Sequence, residues 1–397
     1  MKISKRAQKV TQSLTLALSA KAKQMKKEGM DVVGFGAGEP DFDTPDHIKA
    51  VAIEDIRKGA TKYTPASGTP ELKKAVADKI KQDYGLVYDP SQIIISPGAK
   101  FSLYVAIMAI CDDGDEIIIP APYWLTYPEQ VKAAGGVPVY IEAGIATEFK
   151  ITPEQLKKSI TPKTCALILN SPSNPTGAVY TRAELEAIAD VVKETGIIVI
   201  SDEIYDKLVY DGMESISFPT VRPGLQDQTI LVNGHSKTYS MTGWRIGWTA
   251  GPKDVIAAMG RLQSHSTSNP TTFCQRASAV ALTADQSCIE EMRRAFEERR
   301  NYMVARLRAM PGVKCAMPGG AFYVFPDVSS FYGRKLAGRP IGGSMDMANI
   351  LLEEFKVGVV PGDPFGDDRC VRLSYALGMK DIEKGLDRIE EALKQVE

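Results

Sequence analysis

The chain is poor in the residues that build metal centres and disulfide frameworks. Only three histidines occur among its 397 residues, and its six cysteines form no C-x-x-C pair. No two histidines stand at a metal-ligand spacing, so we expect no zinc site. Scattered cysteines in a long chain are typical of reduced thiols, because disulfide frameworks belong to short secreted chains. The cysteine pattern therefore predicts a cytoplasmic protein without a resident metal.

The sequence also lacks an excess of charge and a long apolar run. Its 48 basic residues face 49 acidic ones, which gives a formal net charge of −1. Nucleic-acid binding needs a basic surface, so we expect no nucleic-acid partner. Near the N-terminus, the apolar stretch 14–20 is interrupted by Thr15 and Ser19 and is too short to span a bilayer. We therefore expect a soluble protein without a membrane partner.

What the sequence does have is a regular alternation of short apolar runs and helix-like segments. The segment 182–195, for example, repeats apolar residues at intervals of three and four. Several runs are β-branched and nearly continuous, as in strands buried on both faces. This rhythm predicts an α/β fold with a mostly parallel central sheet covered by helices. The predicted strands are 92–95, 116–119, 137–141, 165–170, 197–200, 228–232 and 247–250.

The rhythm changes after about residue 285. A long charged helix is predicted over 290–310, followed by short strands at 321–325, 357–360 and 371–374 and a last helix at 380–396. We therefore predict a large domain over 48–285 and a smaller α+β domain over 286–397. The N-terminal segment 1–47 is expected to pack with the small domain.

Polar side chains follow three of the predicted strands of the large domain. Asn174 follows strand 165–170, Asp202 and Tyr205 follow strand 197–200, and Lys237 follows strand 228–232. Asn174, Asp202 and Lys237 each have an ordinary alternative, respectively a tight turn, a helix cap and an exposed lysine. Together they are more specific, because ligands of parallel sheets bind beyond the carboxyl ends of the strands. Pyridoxal 5'-phosphate requires such a set, with a lysine amine, a carboxylate for the pyridine nitrogen and a phosphate cradle.

Ordered motifs over nearly the whole chain resemble those of one enzyme family. The segment 234–247, GHSKTYSMTGWRIG, resembles the lysine signature of the class I pyridoxal-phosphate-dependent aminotransferases. The likeness is greatest to the bacterial-type aspartate aminotransferases of subgroup Ib, and it implies the type I fold of pyridoxal-phosphate-dependent transferases. The other matching motifs are GAGEPDF at 36–42, KYTP at 62–65 with Gly68, PGAK at 97–100, PYW at 122–124, NPTG at 174–177, DEIY at 202–205 and VRLS at 371–374.

The resemblance implies cofactor contacts around Lys237, which would carry the cofactor. Asp202 would pair with the pyridine nitrogen. The other implied contacts are a ring-oxygen pair from Asn174 and Tyr205, a stacking ring from Trp124, and phosphate contacts from Ala99, Lys100, Arg245 and, across a subunit boundary, Tyr63. Many relatives carry serine three residues before the lysine, where this chain has Gly234, so Ser236 is a candidate replacement.

The substrate site is implied in the same way. Arg372 would clamp the α-carboxylate in a two-pronged bond, with Asn174 and Trp124 beside it. Gly38 would let backbone approach the substrate closely. No clear partner-subunit arginine for a distal carboxylate occurs in 264–272, and Lys100 is the candidate instead. A homodimer with shared active sites is expected.

Several activities are compatible with these residues. We expect transamination between L-aspartate or L-glutamate and 2-oxoglutarate or oxaloacetate. A prephenate or broad-range aminotransferase stays open, because Thr15 and Lys100 resemble two positions associated with prephenate use. So does a pyridoxal-phosphate-dependent C–S lyase, which needs the same lysine and aspartate. A non-enzymatic regulator predicts a fused DNA-binding segment or loss of the lysine, and the sequence has neither.

Overall fold

The computed structural model describes residues 2–11 and 14–397, and of residues 6 and 14–19 it describes the backbone alone. None of the helices in this described part is long and apolar enough to cross a membrane. The helices are α1 Lys5–Lys9, α2 Leu14–Lys27, α3 Asp46–Arg57, α4 Pro70–Tyr84, α5 Ala99–Ile110, α6 Thr126–Ala134, α7 Pro153–Ser159, α8 Arg182–Thr195, α9 Lys253–Ser264, α10 Thr272–Thr283, α11 Ser287–Ala309, α12 Ser344–Glu353 and α13 Met379–Lys394.

The strands of the described residues are two to seven residues long. They are β1 Val33–Gly34, β2 Ile93–Ser96, β3 Glu116–Ala121, β4 Val137–Glu142, β5 Thr164–Asn170, β6 Ile198–Asp202, β7 Thr229–Gly234, β8 Gly247–Ala250, β9 Tyr323–Val324, β10 Lys335–Leu336, β11 Arg339–Pro340, β12 Val357–Gly358, β13 Val360–Pro361 and β14 Val371–Ser374.

A seven-stranded sheet forms the centre of the fold, in the order β2-β8-β7-β6-β5-β3-β4. Six strands run in one direction, and only β8 runs against its neighbours β2 and β7. Every residue of β2 and of β7 is buried, as expected for strands covered on both faces. The predicted mostly parallel sheet is therefore confirmed, and each predicted strand lies within two residues of an observed one.

Helix α8 illustrates how the covering helices are specified locally. Thr181 accepts a hydrogen bond from the Glu184 amide while the Glu184 side chain accepts one from the Thr181 amide, so the first turn is capped on both sides. Gly196 ends the helix at a positive φ of 74°, which favours glycine. The buried face, which includes Leu185 and Ile188, packs on the sheet. Burial of each such side chain stabilises the fold by about 1.5–3 kcal/mol.

The C-terminal residues form smaller sheets beside the central one. Strands β13, β14 and β9 pair antiparallel, with β14 in the middle. The N-terminal β1 pairs in parallel with β12, aligning Val33 with Val357. Phe35 packs against α13 so closely that a Cβ atom at Gly385 would overlap its ring. The exact domain limits at residues 47 and 285 stay a prediction.

Candidate active site

A cavity of about 1060 Å³ opens at the carboxyl ends of β5, β6 and β7. The strand register brings these ends together, because Asn170 of β5 pairs with Asp202 of β6, and Asp202 pairs with Val232 of β7. Eleven of the twelve predicted site residues line this cavity. They are Gly38, Ala99, Lys100, Trp124, Asn174, Asp202, Tyr205, Ser236, Lys237, Arg245 and Arg372.

The twelfth predicted residue, Tyr63, lies elsewhere. Its side chain is 89% exposed and does not line the cavity of its own chain. An exposed tyrosine of this kind cannot serve the site of the same subunit in this arrangement. Its predicted role across a subunit boundary stays a prediction.

Lys237 follows β7 and places its amine in the cavity. Its Nζ donates a hydrogen bond to the carbonyl oxygen of Gly38 and lies 5.7 Å from the centre of the Phe322 ring. Burial lowers the pKa of Lys237 to about 8, with a smaller opposing effect from the charge of Glu39. A lysine with a lowered pKa has more neutral amine near pH 7, and the neutral amine is the nucleophilic form.

Asp202 is the buried carboxylate, with only 2% of its surface exposed. The Tyr127 hydroxyl donates to Asp202 Oδ2 over 2.7 Å, and the Ile204 amide donates to Oδ1 over 3.3 Å. Burial raises the pKa of Asp202 to about 6, while these two hydrogen bonds and the charge of Lys237 lower it. The carboxyl group is therefore mostly ionised at neutral pH, despite its position in the interior.

The N-terminus of α5 and Arg245 together form a site suited to an anion. The amides of Phe101 and Ser102 both donate to the Gly98 carbonyl, which leaves those of Ala99 and Lys100 as the first two of the helix. Gly98 has a φ of 87°, and a Cβ atom there would lie 2.5 Å from Arg245 Nη2. Glycine thus lets the guanidinium reach the helix start, where amides and the helix dipole favour negative charge.

Position 234 has room only for glycine. A Cβ atom at Gly234 would lie 2.9 Å from Gly247 Cα and 3.0 Å from the Ile246 carbonyl oxygen. The adjacent backbone therefore leaves no room for a serine side chain at this position. Ser236, which is buried and lines the cavity, is the hydroxyl that this chain offers instead.

Arg372 of β14 is a buried cation that lines the cavity. Its Nη1 donates to Asn174 Oδ1 over 2.8 Å, and its Nη2 donates to the Gly36 carbonyl oxygen over 3.2 Å. The guanidinium lies over the rings of Tyr323 and Phe365, at 4.5 and 5.0 Å from their centres. Within the described part of the chain, its Nε is buried without a hydrogen-bond partner. Unpaired buried donors are costly, so this atom marks a place for an acceptor.

Lys100 lies at the side of the cavity near Trp124. Its Nζ is 4.8 Å from the centre of the indole ring. Burial lowers the pKa of Lys100, and the positive charge of Arg245 lowers it further. Trp124 is held edge to face against Tyr127, with ring centres 5.4 Å apart. The indole is therefore fixed between a cation and the phenol that holds Asp202.

Three residues of the site were not predicted from the sequence. Tyr127 donates to Asp202, Tyr323 shares a 3.0 Å hydroxyl contact with Tyr205, and Phe365 lies against Arg372. Tyr127 stands three residues after Trp124 of the PYW motif, at the start of α6, and this spacing was the available signal. Tyr323 reaches the cavity, and Phe365 reaches Arg372, only through the packing of the C-terminal part of the chain, which no local pattern reveals.

The fold and the cavity are those of a known class of enzymes. The model of the family described as aminotransferase class I and II matches residues 30–389, and the chain belongs to that family. It is 50% identical over 390 residues to the aspartate aminotransferase of Geobacillus stearothermophilus, with 98% of each chain covered. It is 47% identical over 384 residues to the aspartate/prephenate aminotransferase of Cereibacter sphaeroides, with 96% of each covered.

A solved structure extends the comparison to three dimensions. The aspartate aminotransferase of Thermus thermophilus, determined with maleate, is similar with a TM-score of 0.93 and 42% identity. The likeness covers 99% of this chain and 100% of that one. The predicted family and fold class are thereby confirmed.

Proposed function

We propose that this chain is a pyridoxal-phosphate-dependent aspartate aminotransferase that moves the amino group between L-aspartate or L-glutamate and 2-oxoglutarate or oxaloacetate. One observation carries the proposal, namely that Lys237, Asp202 and Arg372 line the same cavity. An amine, a buried carboxylate and a carboxylate-binding guanidinium are the three groups that this chemistry requires. The names of the similar enzymes, aspartate aminotransferases, support the choice of substrate.

The residues of the cavity fit pyridoxal 5'-phosphate in size, charge and donors. The anion site formed by the Ala99 and Lys100 amides with Arg245 suits its phosphate, and Gly98 keeps that site open. Asn174 and Tyr205 supply groups for its ring oxygen. When bound, the cofactor supplies an electron-withdrawing ring that stabilises negative charge at the amino acid's Cα.

Asp202 and Lys237 divide the acid–base work. The ionised Asp202 carboxylate would pair with the cofactor's pyridine nitrogen and keep it protonated, and Tyr127 keeps that carboxylate oriented. Lys237 Nζ would hold the cofactor, and the same amine, once free, is placed to take a proton from a substrate Cα and return it. A pKa of about 8 suits both directions of this transfer, because near neutral pH the amine can both accept a proton and give it up.

Two cations that line the cavity, Arg372 and Lys100, assign the two carboxylates of a dicarboxylic substrate. Arg372 presents its unpaired Nε and a guanidinium face fixed by Asn174 and Tyr323, and it binds the α-carboxylate. Gly38 lies beside Tyr323, so the substrate passes close to backbone there. Lys100, next to Trp124, binds the distal carboxylate. Substrates with two carboxylates are therefore preferred to alanine or phenylalanine.

The exposed surface near Tyr63 supports a homodimer with shared sites. Ile53 and Ile56 of α3 are about half exposed, at 48% and 50%, and Tyr63 follows shortly after them at 89%. Large apolar side chains concentrated on one exposed segment are typical of an interface. In a twofold dimer, Tyr63 of each subunit reaches the phosphate of the other.

Prephenate is a second acceptor compatible with the same clamps, because it also carries two carboxylates. The similar Cereibacter enzyme is named for both substrates. The side chain of Thr15, the second position associated with prephenate use, lies outside the described residues. No feature of the cavity favours C–S elimination over transamination.

Borohydride trapping tests the cofactor assignment directly. The purified protein is expected to be yellow, and reduction should fix the cofactor on the peptide that contains Lys237. Lys237→Ala should bind cofactor reversibly and leave no reduced adduct. A stable adduct on another lysine in that variant would show that the assignment is wrong.

Substrate specificity tests the two clamps. Arg372→Ala should weaken all amino acids and 2-oxo acids by about 2–5 kcal/mol, because a buried charge pair is broken. Lys100→Ala should weaken aspartate and glutamate but spare alanine. The kcat/KM ratio of aspartate to alanine measures this, and an unchanged ratio in Lys100→Ala would remove Lys100 from the site.

A further inference from the structure

Three metal-binding side chains meet at the edge of the sheet opposite the active-site cavity. Cys111 follows the last residue of α5, Asp115 precedes β3, and Cys165 is the second residue of β5. Their two Sγ atoms and one carboxylate oxygen all lie within 4.8 Å of one another. Strand β5 runs from Cys165 to Asn170 in the cavity, about 16 Å at the usual rise of a strand. The cluster is therefore separate from the catalytic residues.

The backbone arranges this cluster in specific ways. The pairing of β3 with β5 aligns Glu116 with Thr164 and Ile117 with Ala166, so Cys165 is skipped. Such a bulge leaves one residue unpaired and redirects its side chain. A Cβ atom at Gly136 would lie 2.5 Å from Cys111 Sγ, so glycine there leaves room for the thiol.

The carboxylate of the cluster is also held in place. Asp115 Oδ2 accepts a hydrogen bond from the Asp112 amide over 2.9 Å, and the Asp115 amide donates back to the Asp112 carbonyl oxygen over 3.1 Å. The Asp115 carbonyl oxygen accepts from the Val137 amide over 2.8 Å. The carboxylate therefore belongs to an ordered turn joined to the sheet.

We propose that Cys111, Asp115 and Cys165 bind one thiophilic divalent cation, Zn²⁺ or Cd²⁺, with water as the fourth ligand. Zinc binds thiolate sulfur at about 2.3 Å and carboxylate oxygen at about 2.0–2.2 Å, so a tetrahedron places its ligand atoms roughly 3.4–3.8 Å apart. The three ligand atoms lie within 4.8 Å of one another, at most about 1 Å beyond that range. Cys165 and Asp115 are only half-buried, which leaves a side open to the ion and its water.

The surroundings favour a cation, and the sulfur atoms decide which kind. The segment 112–116, DDGDE, carries four carboxylates in five residues, which attract positive ions. Calcium and magnesium prefer oxygen ligands, whereas two thiolates select zinc or cadmium. The histidine and cysteine spacings predicted no such site, because Cys165 is 54 residues from Cys111 in the sequence and joins it only through strand pairing.

Ion binding at this cluster is coupled to proton release. Cysteine binds metal ions as the thiolate, so binding to two thiols releases protons and becomes tighter as pH rises.

The test uses reduced, chelator-treated holoenzyme and two probes. Cd²⁺ is titrated while the ultraviolet charge-transfer band of its thiolate bonds is recorded, and Zn²⁺ is titrated in competition with a chromophoric chelator. We expect one ion per chain, the release of two protons, and protection of two thiols from a thiol reagent. The melting temperature should rise with ion concentration, because the ion binds the folded chain.

Variants connect the signal to the cluster. Cys165→Ser and Cys111→Ser should each lower affinity by more than the roughly 10–100-fold that loss of an outer-sphere partner costs. Asp115→Asn should lower affinity less and keep the charge-transfer band. Cys288→Ser, which alters a half-buried cysteine on α11, is the matched control and should bind the ion like the wild type.

The proposal is overturned by either of two results. One is a charge-transfer band and melting shift that persist in the Cys111→Ser/Cys165→Ser double variant. The other is a wild-type protein that binds less than one ion per chain under reducing conditions. The proton release and thiol protection are measured on the wild type, so the test does not depend on the variants folding. Transaminase activity should be the same in all these variants.

Discussion

The hydrogen bond from Tyr127 to Asp202 offers a sharp test of how the site works. Tyr127→Phe removes one hydroxyl and leaves the ring, which is buried against Trp124. The hydroxyl donates to the carboxylate over 2.7 Å and so stabilises its ionised form. Loss of a hydrogen bond to a charged group costs about 1.5–3 kcal/mol. At 1.36 kcal/mol for each pKa unit, the pKa of Asp202 should rise by about one to two units.

That shift moves the pH dependence of cofactor binding in a defined direction. Without cofactor, Asp202 has a pKa of about 6, so below that pH it must lose a proton before it can pair with a protonated pyridine. The association constant should therefore fall as pH falls through about 6 in the wild type. In Tyr127→Phe the same decline should begin at about pH 7 to 8.

Pyridoxine 5'-phosphate is the suitable probe, because it lacks the aldehyde and reports only noncovalent contacts. Its association constant is measured across the range in which Asp202 titrates. Tyr84→Phe is the matched control, since Tyr84 donates to Asp206 over 2.6 Å and does not line the cavity. In Tyr84→Phe the association constant should decline over the same pH range as in the wild type. If the decline in Tyr127→Phe is displaced by less than about 0.5 pH unit, the reasoning is refuted, because the hydrogen bond from Tyr127 would then stabilise the carboxylate by under about 0.7 kcal/mol.

Three further outcomes are expected. Asp202→Asn should keep the fold and lower kcat by several orders of magnitude, and steady-state kinetics showing a loss under about tenfold would count against its role. Subunits carrying Tyr63→Ala, mixed with subunits carrying Lys237→Ala, should regain activity through one intact site per heterodimer, whereas an active monomer in sedimentation would exclude shared sites. Burial raises the pKa of Glu203 from 4.5 to about 7, so its protonated form stabilises the fold below pH 4.5, and that contribution is lost as pH rises through 7. A pKa shift of about 2.5 units lowers the free energy of unfolding by about 3 kcal/mol over this pH range. Urea unfolding should show this decrease in the wild type but not in Glu203→Gln.

The central sheet could be predicted because its strands carry their own signal. Runs such as Ile93–Ser96 are buried on both faces, so apolar content alone marks them. The direction of β8 could not be predicted in this way. A buried antiparallel strand has the same apolar composition as a buried parallel one, and only its pairing with β2 and β7 distinguishes it.

The candidate site was predictable to the extent that its residues stand at strand ends. Asn174, Asp202 and Lys237 follow neighbouring strands, so topology alone brings them together. Tyr323 and Phe365 come from the C-terminal part of the chain, and their contacts depend on how the small sheets pack on the large one. No periodicity records that packing.

The pKa values of Lys237 and Asp202 could not be predicted from the sequence, because they depend on how the folded chain buries these residues. The sequence supplies a lysine and an aspartate, but burial is the largest influence on each pKa, lowering that of Lys237 and raising that of Asp202. Burial disfavours a charge of either sign, so it moves the two groups toward each other on the pH scale. Each group therefore changes its protonation state closer to neutral pH than the same residue on a surface does. The apolar interior beneath the cavity is therefore what shifts both pKa values, and no local sequence pattern records it.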